Sequence, residues 1–195
     1  MFTTLLDLLI KLITFDYFVI KKIISKYFNP NSHFSVLDLG CGTGALAKMF
    51  PPSSYLGFDL DEPSIFLAKR LNPNYKFKVA DCTSPNLGKQ KFDFILVSGV
   101  IHHLDDKGFK KTMMVIKTHL KPKGTTLLIE AVPPIYNWNI LGKFIRSHDQ
   151  GKHIRNLSSY VSQIQNYFRI VDSYQQFGGI VDYGVIVADN QLDKS

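Results

Sequence analysis

Asp38, Asp59 and Asp81 each follow a short apolar run, and a glycine-rich turn, Gly40-Cys41-Gly42-Thr43-Gly44, comes directly after the first of them. Glycines in such a turn let the backbone double back and let a ligand lie close against it. Gly40-x-Gly42-x-x-Ala45 fits the permissive form of the dinucleotide-binding pattern, and Asp59 falls near the offset at which an acid takes a ribose. Asp38 argues for another ligand, because a carboxylate on the approach to the turn repels a pyrophosphate and attracts an ammonium. The third acid, Asp81, extends the array beyond what a dinucleotide site needs.

A second group of residues could move protons. His102 and His103 stand side by side after the apolar run Phe92–Ser98 and are the best-placed ionisable pair for a general base. Neighbours in a loop point different ways, so one of the two reaches a substrate; capping the helix that starts near Leu104 is the plainer role. A charged stretch, Arg146 to Arg155, holds His148 and His153 as further candidate bases, and Arg146, Lys152 and Arg155 as a candidate clamp for a phosphate or carboxylate. A solvated loop is the plainer use of such a run. His148, Asp149 and His153 lack a defined metal-ligand spacing, so no metal is expected.

The elements that must position these groups alternate. Strands are expected at Phe34–Leu39, Tyr55–Leu60, Tyr75–Ala80, Phe92–Ser98 and Thr125–Val132, with helices at Ala45–Phe50, Asp61–Leu71 and Asp105–Leu120 between them. That rhythm specifies an α/β fold with a doubly wound, mostly parallel sheet, whose ligands bind beyond the carboxyl ends of the strands. The rhythm then breaks. Residues 133–155 read as an insertion, Asn156–Tyr167 as a helix, and Arg169–Tyr174 and Tyr183–Asp189 as two strands joined too closely for a crossover helix. The last pair is therefore expected to be an antiparallel hairpin, which makes a seven-stranded sheet.

The chain has 195 residues, enough for one domain with a full core. Its parts are a helical extension over 1–30, a ligand-binding core over 31–132, the insertion over 133–155, and a C-terminal helix and hairpin over 156–195. Lys and Arg number 23 against 16 Asp and Glu, giving a net charge of +7 that invites an anionic partner. The two cysteines, Cys41 and Cys82, make no disulfide framework and suit a reducing, cytoplasmic setting. Residues 1–28 carry apolar side chains at helical spacing with lysines among them. Packing on the core is the plainer role; peripheral contact with an anionic membrane is the alternative.

The D-x-G-x-G-x-G run at Asp38–Gly44, followed by Asp59, Asp81, Ile101-His102-His103-Leu104 and Leu120-Lys121-Pro122-Lys123-Gly124, resembles the class I S-adenosylmethionine-dependent methyltransferases, of the bacterial small-molecule, type 11/12-like kind. The resemblance covers about residues 34–131 and the final hairpin; Lys123 departs from the usual Pro-Gly-Gly. It implies S-adenosylmethionine as cofactor. Asp38 would then meet the methionyl ammonium, directly or through water. The backbone of Gly40, Cys41, Gly42, Thr43 and Gly44 would pass beneath the methionyl and ribose parts. Asp59 would accept from both ribose hydroxyls, and Leu60 would pack on the adenine. Asp81 would accept from its exocyclic amine with Cys82 beside the ring, and Ser98 and Gly99 would border the sulfonium.

Asp149-x-Gly151-Lys152-x-Ile154-Arg155 is similar to a signature of a bacterial subgroup, with Gln150 in place of an arginine. No Asp/Asn-Pro-Pro-Tyr motif of the base-methylating enzymes follows the fourth strand. The acceptor implied is a small molecule, anionic or lipid-linked, taken at a hydroxyl oxygen. An RNA-modifying methyltransferase, an NAD-dependent oxidoreductase and a non-catalytic cofactor-binding subunit are the alternatives.

Overall fold

The computed structural model describes residues 16–29, 34–134, 153–178 and 181–190. Seven strands form one sheet: β1 (Val36–Leu39), β2 (Tyr55–Asp59), β3 (Lys76–Val79), β4 (Phe92–Ser98), β5 (Leu120–Val132), β6 (Arg169–Gly178) and β7 (Val181–Asp189). Their order is β3-β2-β1-β4-β5-β7-β6. The first five strands run parallel, and β7 pairs antiparallel with both β5 and β6. The mixed sheet with its terminal hairpin is the one expected.

Among the described residues, four α-helices flank the sheet: α1 (Asp16–Tyr27), α2 (Glu62–Leu71), α3 (Asp106–His119) and α4 (Leu157–Ile164). The last three start where a side chain satisfies a free backbone N–H. Asp61 accepts from Ser64 N–H, Asp105 from Gly108 N–H, and Asn156 from Ser159 N–H. One face of the sheet packs against α1 and α2 through Ile24, Ile65, Phe94 and Leu127. The other packs against α3 and α4 through Ile95, Met113, Leu128 and Tyr160. Phe94 to Val97 are all buried, as befits a parallel strand covered on both sides.

Three elements differ from expectation. Ala45–Phe50 is not an α-helix: only Ala47–Met49 turns, as a 3-10 helix. Six residues between Gly44 and Pro51-Pro52 leave no length for a second turn to repay nucleation. β5 begins at Leu120, directly after α3, so Pro122 and Gly124 lie in an irregular strand start, where the register with β4 slips between Phe92 and Phe94. β6 runs on to Gly178, because β7 pairs with it over its full length.

The expected N-terminal helix is present over Asp16–Tyr27, and residues 1–15 lie outside the described residues. Its apolar face buries Ile20, Ile23 and Ile24 in the core, with Phe28 just beyond it. That face is therefore taken by the sheet and is not open to a lipid surface. Lys26 and Tyr27 both reach Asp172 of β6, which fastens the end of α1. Among the described residues, no helix is long and apolar enough to cross a membrane.

Candidate functional site

β1, β2, β3 and β4 present their carboxyl ends on one side of the molecule. The crossovers from β1 and β4 lead in opposite directions there, which opens a crevice above those two strands. The glycine turn fills the β1 corner of it. Gly40 and Cys41 donate their N–H groups to the carbonyl of Phe58, at 2.7 and 2.9 Å, so the turn leans on β2 as it leaves β1.

Gly40, Gly42 and Gly44 have φ of 82, 51 and 73°, the left-handed region that side chains resist. A methyl on Gly40 would fall 2.1 Å from Val100 Cγ2, which joins the turn to the start of the histidine segment. Among the described residues, a methyl on Gly42 would meet nothing within 4 Å, which leaves room there for a ligand. The two are expected to respond differently to substitution. Gly40→Ala should cost about 2–5 kcal/mol of stability, from left-handed strain and overpacking together. Gly42→Ala should cost only the strain, about 1–2 kcal/mol, while obstructing ligand. Thermal unfolding of both variants checks this; equal losses would contradict it.

Asp59 ends β2 and holds the turn from the other side. Its Oδ2 accepts from Gly42 N–H at 2.8 Å and its Oδ1 from Asp61 N–H at 2.9 Å. A carboxylate has about four lone-pair positions, so this half-buried group keeps capacity for two further donors. Leu60, next along, is 70% exposed, an apolar side chain standing at the rim. Asp81 follows β3 and accepts from Thr83 N–H at 2.7 Å, so it serves as a turn acid as well as a possible ligand acceptor. Cys82 is half-buried with its sulfur 3.8 Å from Thr112 Oγ1; burial pushes its thiol pKa up. Burial does the same to Cys41, aided by the charges of Asp38 and Asp59, so neither thiol is an activated nucleophile. Thr43 is half-buried in the turn.

Asp38 lies under the turn and is buried. Tyr55 donates its hydroxyl to Asp38 Oδ2 at 2.7 Å. Gly57 lies opposite Asp38 in the sheet and makes room for this contact: a methyl there would sit 2.9 Å from the Tyr55 oxygen. Asp38 Oδ1 has no hydrogen-bond partner. Burial raises the carboxyl pKa to about 7; the Tyr55 hydrogen bond opposes this and the Asp59 charge adds to it. An unpartnered, buried carboxylate oxygen is costly and asks for a donor or cation, which the described residues do not supply.

The fourth strand ends at the half-buried Ser98. Gly99 turns with φ of 68° and donates its N–H to Ile129 O at 2.9 Å. Ile101–His103 is a 3-10 turn. His102 is buried and its Nδ1 lies 2.8 Å from Glu130 Oε2. His103 is exposed, with its ring centre 4.0 Å from that of His102. The two imidazoles thus differ in burial as adjacent loop residues should.

His148, the third candidate base, lies outside the described residues, as do Arg146, Asp149 and Lys152. His153 donates its backbone N–H to His102 O at 3.0 Å. Arg155 corrects the expected anion clamp. Its guanidinium pairs with Asp106 at 2.7 Å, reaches Leu104 O at 3.5 Å and lies over the Phe109 ring at 5.4 Å. It is spent on pinning residues 153–155 to the start of α3. Among the described residues, no cluster of His, Cys, Asp and Glu could hold a metal ion.

Two site residues were missed in the sequence, Tyr55 and Glu130. Glu130 had a signal: it is one acid inside the apolar run Leu127-Leu128-Ile129-Glu130-Ala131-Val132, and a buried acid needs partners.

Residues 36–124 match a family model described as a methyltransferase domain. A tRNA (carboxymethyluridine(34)-5-O)-methyltransferase of Saccharomyces cerevisiae is 33% identical over 67 residues, 34% of this chain and 24% of that protein. A ubiquinone biosynthesis O-methyltransferase of Rhodopseudomonas palustris is 26% identical over 155 residues, 67% of this chain and 60% of that protein. The chain thus spans less than two thirds of either relative. A solved SAM-dependent methyltransferase of Methanosarcina mazei superposes with a TM-score of 0.71 at 19% identity, over 88% of this chain and 98% of that one. At that identity the likeness is one of fold.

Proposed function

We propose that this chain, whose residues 36–124 match a methyltransferase domain, is a class I S-adenosylmethionine-dependent methyltransferase that methylates a small-molecule acceptor at a hydroxyl oxygen. The observation that carries the reading is Asp38 Oδ1, buried and unpartnered among the described residues, beneath a glycine turn that leaves room for a ligand at Gly42. An ammonium group held there, directly or through one water, supplies the missing partner. Asp59 has spare acceptor capacity for a ribose beside it. Leu60 offers an apolar surface for an adenine and Asp81 an acceptor for its amine. Ser98 and Gly99 border the reacting end.

The cofactor, when bound, supplies a methyl group already activated on a sulfonium. The chain's own part is alignment, exclusion of water and removal of the acceptor proton. His102 and His103 are the candidate bases on the described side of the crevice, and His148 is the third. The two relatives described above both carry O-methyltransferase names, one for tRNA and the other, over the longer match, for ubiquinone biosynthesis. Ser98-Gly99-Val100-Ile101-His102-His103 follows β4 where base-methylating enzymes carry Asp/Asn-Pro-Pro-Tyr, which also favours oxygen.

One observation favours a second reading, with RNA as acceptor. Lys107, Lys110 and Lys111 of α3, with Thr83 and Ser84, line a surface cavity of about 430 Å³. The deciding experiment is calorimetry with S-adenosylmethionine, followed by an acceptor screen that reads S-adenosylhomocysteine. Binding of the cofactor and turnover with a hydroxylated small molecule are expected. No binding would sink the reading. Turnover only with RNA, bound with steep salt dependence, would replace it by the second.

A further inference from the structure

Glu130 is wholly buried in β5, yet four hydrogen-bonding groups of the histidine turn converge on it. Val100 and Ile101 donate their N–H groups to Oε1 at 3.1 and 3.0 Å. The His102 N–H meets Oε2 at 3.3 Å, and His102 Nδ1 lies 2.8 Å from the same oxygen. Three of these four are backbone donors whose direction the chain has no freedom to change. They require both oxygens to act as acceptors, and a carboxylate has about four lone-pair positions to give. An ionised Glu130 has no hydrogen to give, so beside it Nδ1 is the donor.

We propose that Glu130 is the positioning residue of the site: its carboxylate holds His102 as the Nδ1–H tautomer and so places the basic lone pair of the ring on Nε2. Which nitrogen of a histidine bears the proton is set by the hydrogen bond the other one makes. The same carboxylate closes the 3-10 turn, so one group bears on both the orientation of the ring and the path of the backbone. The ring is also in the right place. Its Cε1, the atom between the two nitrogens, lies 3.8 Å from where a side chain on Gly99 would begin. Gly99 borders the reacting end of the crevice under the proposed function, and in that respect the inference rests on that reading. A neutral imidazole presenting Nε2 is the form in which His102 can take an acceptor proton.

The test needs neither cofactor nor acceptor. Long-range proton–nitrogen spectra of the full chain, recorded above the pH at which the ring titrates, report which imidazole nitrogen carries hydrogen. His102→Gln identifies the signals by their loss. In the natural chain, Nδ1 is expected in the N–H range and Nε2 far downfield, where a lone pair resonates. In Glu130→Gln, the side-chain amide donates toward Nδ1 and the two nitrogens should exchange positions, with the amide spectrum otherwise folded. The exchange is expected to leave S-adenosylmethionine affinity unchanged. Turnover with the acceptor from the screen should fall roughly 10²–10⁴-fold, the usual contribution of a positioned base, at unchanged acceptor KM.

An Nε2–H ring in the natural chain overturns the proposal. So does a loss of turnover in Glu130→Gln with the tautomer unmoved, which marks Glu130 as structural only. If Glu130→Gln does not fold, the tautomer of the natural chain decides alone. Failure of S-adenosylmethionine to bind would refute the proposed function and leave the tautomer result standing, so the two failures are told apart.

Discussion

Asp59→Ala is expected to remove S-adenosylmethionine binding from the range that calorimetry can measure. The carboxylate does two jobs at once. It accepts from Gly42 N–H and Asp61 N–H, which holds the glycine turn against the end of β2. On the proposed function, its remaining lone pairs accept from two ribose hydroxyls. Hydrogen bonds to a charged group are worth about 1.5–3 kcal/mol each. Losing two to the ligand therefore costs roughly 10²- to 10⁴-fold in affinity, before the loosened turn adds its share. Asp59→Asn should fall between, since one oxygen can keep either backbone donor but not both. Unchanged affinity in Asp59→Ala would refute both the ribose role and the cofactor site built around it.

Asp38→Asn should change the pH dependence of stability and of binding in opposite senses. In the folded chain, burial holds the carboxyl protonated up to about pH 7, against 3.8 when unfolded. Between those values the folded state binds the extra proton. Stability from this group is therefore full below the unfolded value and is lost as pH rises to about 7. The span corresponds to roughly 4 kcal/mol. Affinity for a cationic ligand runs the other way, because the carboxylate that attracts an ammonium exists only above that range. Asparagine does not titrate, so both slopes should flatten. Urea unfolding without ligand at about pH 4 and pH 8, paired with calorimetry across the same range, reads both. Identical slopes in the two proteins would show that Asp38 does not titrate as its burial requires.

The parts of the site legible in the sequence were those governed by local rules. A strand followed by glycines and acids at three strand ends needs only short-range pattern, and Asp38, Gly42, Asp59 and Asp81 came from it. The histidine pair was placed correctly after β4, but its chemistry was not readable. Burial separates His102 from His103, and Glu130, which orients His102, lies 28 residues away and arrives through the register of β4 with β5. Tyr55 was hidden for a similar reason: it reaches Asp38 only because Gly57, between them in space, has no side chain. Arg155 was misjudged because charge pattern does not reveal a partner such as Asp106 that is 49 residues away. Ala45–Phe50 failed on length, where helical composition met two prolines too soon.

The position of β7 sets an order of events during synthesis. Val181–Asp189 lies inside the sheet, between β5 and β6, although both neighbours precede it in the chain. A ribosome therefore delivers β6 before the strand that links it to β5. Until β7 emerges, the β5 edge from Thr125 to Val132, mostly apolar and almost wholly buried in the finished sheet, offers its hydrogen-bonding groups to any passing strand. The sheet is closed from the inside by a late arrival. The edge that a nascent-chain chaperone would have to shield thus belongs to an interior strand of the mature sheet.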